Sequence, residues 1–230
     1  MMKLKWLSIA VTIVVLILAS LATGCAPSTP SSSPPTETPP ATETPQQVQP
    51  TEEAEEPTEA APPAAPVTKQ ALFVIYNAFE ETEYGKPLTV LKDAGIEVTV
   101  TSTSLNTVRG YNGKSVKPDI ALSEVQGADY DAIVLIGGVG YVIDDPEAER
   151  IVKEAAAADK VLAAICIAPI TLARAGVLKG KHATSSIDIN IGGAIPVYDK
   201  NVVRDGLIIT ANGPDAAQKF GETIVTALQE

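Results

Sequence analysis

Histidine occurs once in the 230 residues, as His182, and cysteine twice, as Cys25 and Cys166. No Cys or His lies close to His182 in sequence, so the chain offers no metal-ligand set. Cys25 falls in the apolar start of the chain, which leaves Cys166 as the one thiol of the part expected to fold. A single cysteine makes no intramolecular disulfide. In an exported chain it either pairs between molecules or stays reactive. Basic residues are outnumbered, 17 Lys and Arg against 28 Asp and Glu, for a formal charge of −11 at pH 7. No basic cluster stands out, and that disfavours a nucleic acid partner. Internal repeats are absent as well.

What is present begins with three unlike segments. Lys3 and Lys5 precede an apolar run from Trp6 to Leu21, broken only by Ser8, Thr12 and Ser20, and small residues then lead to Gly24-Cys25. A charged start, an apolar centre and a small-residue end make a secretory signal. The segment resembles the lipobox of bacterial lipoproteins, which implies cleavage before Cys25 and a lipid on its thiol. The alternative is an uncleaved anchor, for which the run is just long enough. Both readings put the remainder outside the cytoplasmic membrane, in the membrane or cell envelope. Residues 26–66 hold twelve of the eighteen prolines and seven glutamates, with no Lys, Arg or Gly. Such a segment buries too little apolar surface to offset chain entropy and is expected to be a disordered tether, extended by its prolines to roughly 100 Å.

Residues 67–230 are enough for one domain. Setting aside Lys3, Lys5 and the seven tether glutamates leaves 15 basic and 21 acidic residues, a charge near −6. "ALFVIY" (71–76), "YDAIVLIGG" (130–138) and "VLAAIC" (161–166) read as strands covered on both faces, and "IEVTVTS" (96–102) as a further strand. "FEETEYGKPLTVLKDAG" predicts a helix closing at Gly95. Asp145 followed by Pro146 starts another over 144–160. Asp205-Gly206 predicts a tight hairpin within 201–210, and 213–230 an amphipathic closing helix. Strands alternating with helices predict βαβ units, a mainly parallel sheet and helices on both faces.

In such α/β sheets the functional crevice lies at the carboxyl ends of the strands. Three places qualify. Cys166 stands where a strand gives way at once to a helix, among Ala164, Ala168 and Pro169. Small neighbours permit a nucleophile elbow, and a helix N-terminus there is expected to lower the thiol pKa. Glu83 follows the first strand and could exchange protons with the thiol or a substrate. The pattern by itself favours an exposed first-turn glutamate, since Glu80 and Glu81 sit beside it. Gly137 and Gly138 end the middle strand and either present amides to an oxyanion or form a plain turn.

Together, "AFEETEYGKPLTVLKDAGIEVTV", "YDAIVLIGG", "AAICIAPITLARAGVLKGKHAT" and "VVRDGLIITANGP" resemble the DJ-1/PfpI superfamily, of the class I glutamine amidotransferase-like type, over about 70–229. The resemblance implies a flavodoxin-like three-layer sandwich with a reactive cysteine at Cys166 and an acid at Glu83. It also implies oxyanion amides at Gly138 and Ile167, and chemistry that needs neither metal nor cofactor. Dimers are common in the family. Two departures matter. Protease-like members carry His directly after the cysteine, where this chain has Ile167. DJ-1-like members carry a later His, at about the position of Ser185, and His182 falls three residues early. Without a histidine to move protons to a leaving group, proteolysis is disfavoured. Three functions remain open: Cys–Glu chemistry on small reactive carbonyls or glycated groups, oxidant sensing by the thiol, and a non-catalytic module binding a ligand or partner.

Overall fold

The computed structural model describes residues 68–188 and 192–230. The expected leader with Cys25 and the expected tether over 26–66 lie outside the described residues. In chain order the elements are β1 (Gln70–Val74), α1 (Glu81–Asp93), β2 (Glu97–Ser102), β3 (Val108–Arg109), β4 (Ser115–Val116), β5 (Ile120–Ala121), β6 (Ala132–Leu135), α2 (Pro146–Ala157), β7 (Val161–Ile165), α3 (Pro169–Arg174), β8 (His182–Ala183), β9 (Ile195–Pro196), β10 (Val202–Asp205), β11 (Ile208–Ala211) and α4 (Ala217–Gln229). Among the described residues no helix is long and apolar enough to cross a membrane.

Seven strands form one sheet in the order β10-β11-β7-β6-β1-β2-β5. Only the β10–β11 pair is antiparallel. The layers follow from side-chain alternation along the central strands. In β1 and just beyond it, Ala71, Phe73 and Ile75 face a core shared with Tyr84 and Leu91 of α1 and with Phe220, Ile224 and Leu228 of α4. Leu72, Val74 and Tyr76 face the opposite core, with Ile151, Val152 and Leu172 of α2 and α3. Both faces are covered, which explains the unbroken apolar runs in β6 and β7. The result is the expected flavodoxin-like three-layer α/β sandwich.

Local signals placed the helix ends. Asp145 caps α2, its Oδ1 accepting from Glu147 N at 2.9 Å, with Pro146 as the first helical residue. At the end of α1, Gly95 N donates to Lys92 O and Ile96 N to Leu91 O, each at 3.0 Å, the Schellman pattern. The hairpin forms, but its turn is Gly206-Leu207, one residue later than expected. Asp205 stays in the ladder opposite Ile208, where its carboxylate accepts from His182 N at 2.9 Å.

Helices α1 and α4 approach closely because α4 carries Gly221. A Cβ there would lie 2.9 Å from Pro87 Cα and 3.1 Å from Val90 Cβ, so the backbones would have to part. Overpacking costs about 1–3 kcal/mol. Helix propensity returns at most ~1 kcal/mol for Gly to Ala. Gly221→Ala is therefore expected to lower the urea unfolding midpoint, where an ordinary helical glycine would give the reverse.

Candidate functional site

The site grows from the topology. Chain order along the sheet reverses at β1, which has β2 on one side and β6 on the other. Beyond the carboxyl ends of β1, β6 and β7 lie the segments 77–83, 137–139 and 166–167, at the crevice where α/β sheets hold ligands.

The first segment is tied to its neighbours by backbone bonds. Ala78 N donates to Arg109 O at 2.6 Å, Tyr111 N to Phe79 O at 3.0 Å, and Glu80 N to Gly137 O at 3.0 Å. Glu80 then caps α1, its Oε2 accepting from Glu83 N at 2.6 Å. This places Glu83 on the inner face of the helix with Tyr84, Pro87 and Leu91, fully buried. The exposed first-turn glutamate favoured by the local pattern is not what forms. Both carboxyl oxygens of Glu83 are buried without a hydrogen bond of good geometry. Burial pushes its pKa up to about 7; the nearby Cys166 side chain and the Gly137 amide pull it down, and Glu80 pushes it up.

Gly137 lets acid and thiol meet. A Cβ on it would lie 2.6 Å from Cys166 Cβ and 2.8 Å from Glu83 Oε2, so both side chains occupy space that any other residue would fill.

Cys166 follows the last residue of β7 with φ 66°, in the left-handed region, at a cost of roughly 1–3 kcal/mol for a residue with a side chain. Backbone bonds hold it there. Its N donates to Ala211 O at 2.9 Å, and its O accepts from Ser186 N at 2.9 Å and from Ser185 Oγ at 2.7 Å. Ser186 Oγ donates to the sulfur at 3.3 Å. The expected lowering of the thiol pKa does not occur. Burial raises it most; the Ser186 hydroxyl pulls it down, Glu83 pushes it up again, and the Ile167 amide lowers it least, so the net shift is upward. Helix α3 starts three residues beyond Cys166 and has only six residues, too little to override desolvation.

Cys166 and Glu83 open into a cleft of about 470 Å³, also lined by Glu80, Gly138, Ile167 and Ser186. The structure thus brings together all four residues singled out in the domain. Ser186 was missed by one position, Ser185 having been matched to the later histidine. His182 lies elsewhere, its Nδ1 3.2 Å from Asp205 Oδ2 on the exposed face of β8.

The family profile described as DJ-1/PfpI matches residues 69–227, from the start of the described chain well into α4. The chain belongs to the DJ-1/PfpI family. Protein dj-1beta of Drosophila melanogaster is 32% identical over 169 residues, covering 70% of this chain and 90% of the relative. Deglycase PfpI of Pyrococcus furiosus is 36% identical over 148 residues, covering 62% and 89%. The crystal structure of a ThiJ/PfpI domain protein from Brachyspira murdochii matches with a TM-score of 0.67 at 29% identity, over 70% of this chain and 97% of that one. The elements that wall the cleft all begin inside this family domain.

The raised Glu83 pKa has a signature in stability. Between the ordinary value of 4.5 and about 7, the native state holds a proton that the unfolded chain has released. Stability therefore falls as pH rises through that window, and the cost, up to about 3 kcal/mol, is complete above it. Glu83→Gln removes the titration. Urea unfolding is expected to show its stability relative to wild type improving steadily from about pH 4 to about pH 8, whatever the fixed offset between the two.

Proposed function

We propose that the domain performs Cys–Glu chemistry on small reactive carbonyls or on glycated groups. The observation that carries this is the fully buried, unpartnered Glu83 carboxyl beside Cys166 at the base of an open cleft. A strained backbone at a strand-to-helix junction, as at Cys166, suits a nucleophile elbow. With a 2-oxoaldehyde, Cys166 Sγ adds to the aldehyde carbon and the thiol proton ends on its oxygen. Glu83, poised near neutrality, takes the proton from that carbon and returns one to the neighbouring carbon, while the hydroxyl proton passes from the first oxygen to the second. The result is a 2-hydroxyacyl thioester, which water hydrolyses to the 2-hydroxy acid, freeing the thiol. One water is consumed, and no external oxidant or reductant is needed. The Gly138 and Ile167 amides are the proposed donors to the oxyanion. Glu83 replaces the histidine as base, which suits an internal proton transfer better than expulsion of an amine, so proteolysis is not proposed.

The full-length chain given methylglyoxal is expected to produce lactate, with a rate that rises as Glu83 ionises through about pH 7. Cys166→Ala should abolish turnover, and Glu83→Gln should lower kcat by about a hundredfold or more. No lactate above the Cys166→Ala level overturns the reading. A second reading draws on the same unused carboxyl. Peroxide takes Cys166 to the sulfenic and then the sulfinic acid, each step releasing one water, and protonated Glu83 donates a hydrogen bond to the oxidised sulfur.

The proposal extends to location. A lipid on Cys25 and the proline-rich tether would hold the domain outside the cytoplasmic membrane; the support is the Lys3/Lys5 start, the apolar run and Gly24-Cys25. In a bacterial host, labelled palmitate is expected to enter the wild-type chain and not Cys25→Ser. Equal labelling of the two discards the anchor.

A further inference from the structure

The walls of the cleft bear on what it admits. Ala78, Tyr111, Val139, Ile167, Ile187 and Pro214 supply most of its lining. Tyr111 and Val139 stand at its rim with 68% and 78% of their surface exposed, an apolar edge facing solvent. Among the described residues, the side chains along it that carry formal charge are both acids, Glu80 and Glu83, and no Lys, Arg or His lines it. Lys86 and Lys114 belong to a separate groove, with Glu81 and Gln218. The N-terminus of α1 lies at the cleft and would otherwise attract an anion, but Glu80 already caps it and accepts from Glu83 N. An incoming carboxylate or phosphate would find carboxyls without a compensating cation, and the neutral Gly138 and Ile167 amides proposed for the oxyanion would replace only part of the water it loses. A neutral, apolar group would instead cover the exposed edges of Tyr111 and Val139.

We propose that this cleft selects neutral substrates bearing an apolar substituent and rejects anionic ones, carboxylates and phosphate esters alike. As a statement of substrate class it rests on the carbonyl reading above; as a statement about access to Cys166 it can be read without turnover. The full-length chain is treated separately with iodoacetamide, its N-benzyl derivative and iodoacetate, and modification of the Cys166 peptide is followed by mass. In each case sulfur bonds to the methylene carbon, iodide leaves, and the thiol proton passes to solvent. Rates are divided by those for 2-mercaptoethanol, a thiol with no carboxylate, which removes intrinsic reactivity. Iodoacetate is expected to lag iodoacetamide by about tenfold, as repulsion by one nearby carboxylate in a partly dry cleft suggests. The benzyl reagent is expected to lead several-fold. Val139→Lys, at the exposed rim, should shrink the ratio of the iodoacetamide rate to the iodoacetate rate to a few-fold and cut the lead of the benzyl reagent; the ratio is the readout, since a cation near the sulfur changes the absolute rate with every reagent.

Normalised rates that are equal for the neutral and anionic reagents, or no gain from the benzyl group, overturn the inference. A second arm compares phenylglyoxal with glyoxal as substrates, the first expected to have the higher kcat/KM. If neither is turned over while the labelling order holds, the carbonyl reading fails and the selectivity of the cleft stands. If both are turned over but the labelling shows no order, the carbonyl reading stands and the selectivity fails.

Discussion

Glu83 is a fully buried carboxyl group with no well-formed hydrogen bond, held against a thiol. Burying such a group is unfavourable in either protonation state, and more so when it is charged. Much of the surrounding structure serves to keep it there. Glu80 fixes the start of α1, so that the third helical residue turns inward rather than out. Gly137 leaves the volume that acid and thiol both need. Ala211 and Ser185–Ser186 hold the backbone of Cys166 in a conformation it would not otherwise favour. Each device taken alone costs stability or offers little. Together they maintain one proximity.

That proximity decides the chemistry more than the reactivity of the sulfur does. The thiol is harder to ionise than a free cysteine, because burial and the neighbouring acid both oppose the thiolate. A pair of this kind does not present a ready anion to every electrophile. In the proposed reaction the thiol proton passes to the carbonyl oxygen as sulfur adds, and Glu83, near neutrality, is the acceptor for the proton on carbon. Ser186, at 3.3 Å from the sulfur, is the group that moderates the penalty on the thiolate.

Much of the fold could be read from local pattern. The apolar runs of β1, β6 and β7 are unbroken because both faces are covered, and Asp145-Pro146 announces α2 with its own side chains. Strands β3, β8 and β9 pair over two residues each, too few to leave any periodicity. The site was legible as a set of chain positions but not as an environment. Glu80-Glu81-Thr82-Glu83 looks solvent-facing in sequence, and only the placing of β6 beside β1, which brings Gly137 against the helix start, shows which glutamate is buried. The fate of the two adjacent serines likewise depends on the bend after β8, which carries Ser185 to the carbonyl of Cys166 and Ser186 to its sulfur. Helix-dipole reasoning went astray at the thiol because the length of α3 and its offset from Cys166 are not written in the few residues around them.

Phe79 pairs through its backbone with Gly110 on one side and Gly138 on the other, outside any named strand. Two loops and the approach to α1 are thereby stitched into a small continuation of the sheet, and that stitching lies under the mouth of the cleft. A molecule arriving there meets walls whose conformational entropy was already lost when the chain folded. Little of its binding free energy is consumed in ordering the protein. For the small carbonyl compounds proposed as substrates, which have few atoms to offer, that saving would leave more of the binding free energy to hold one orientation during proton transfer.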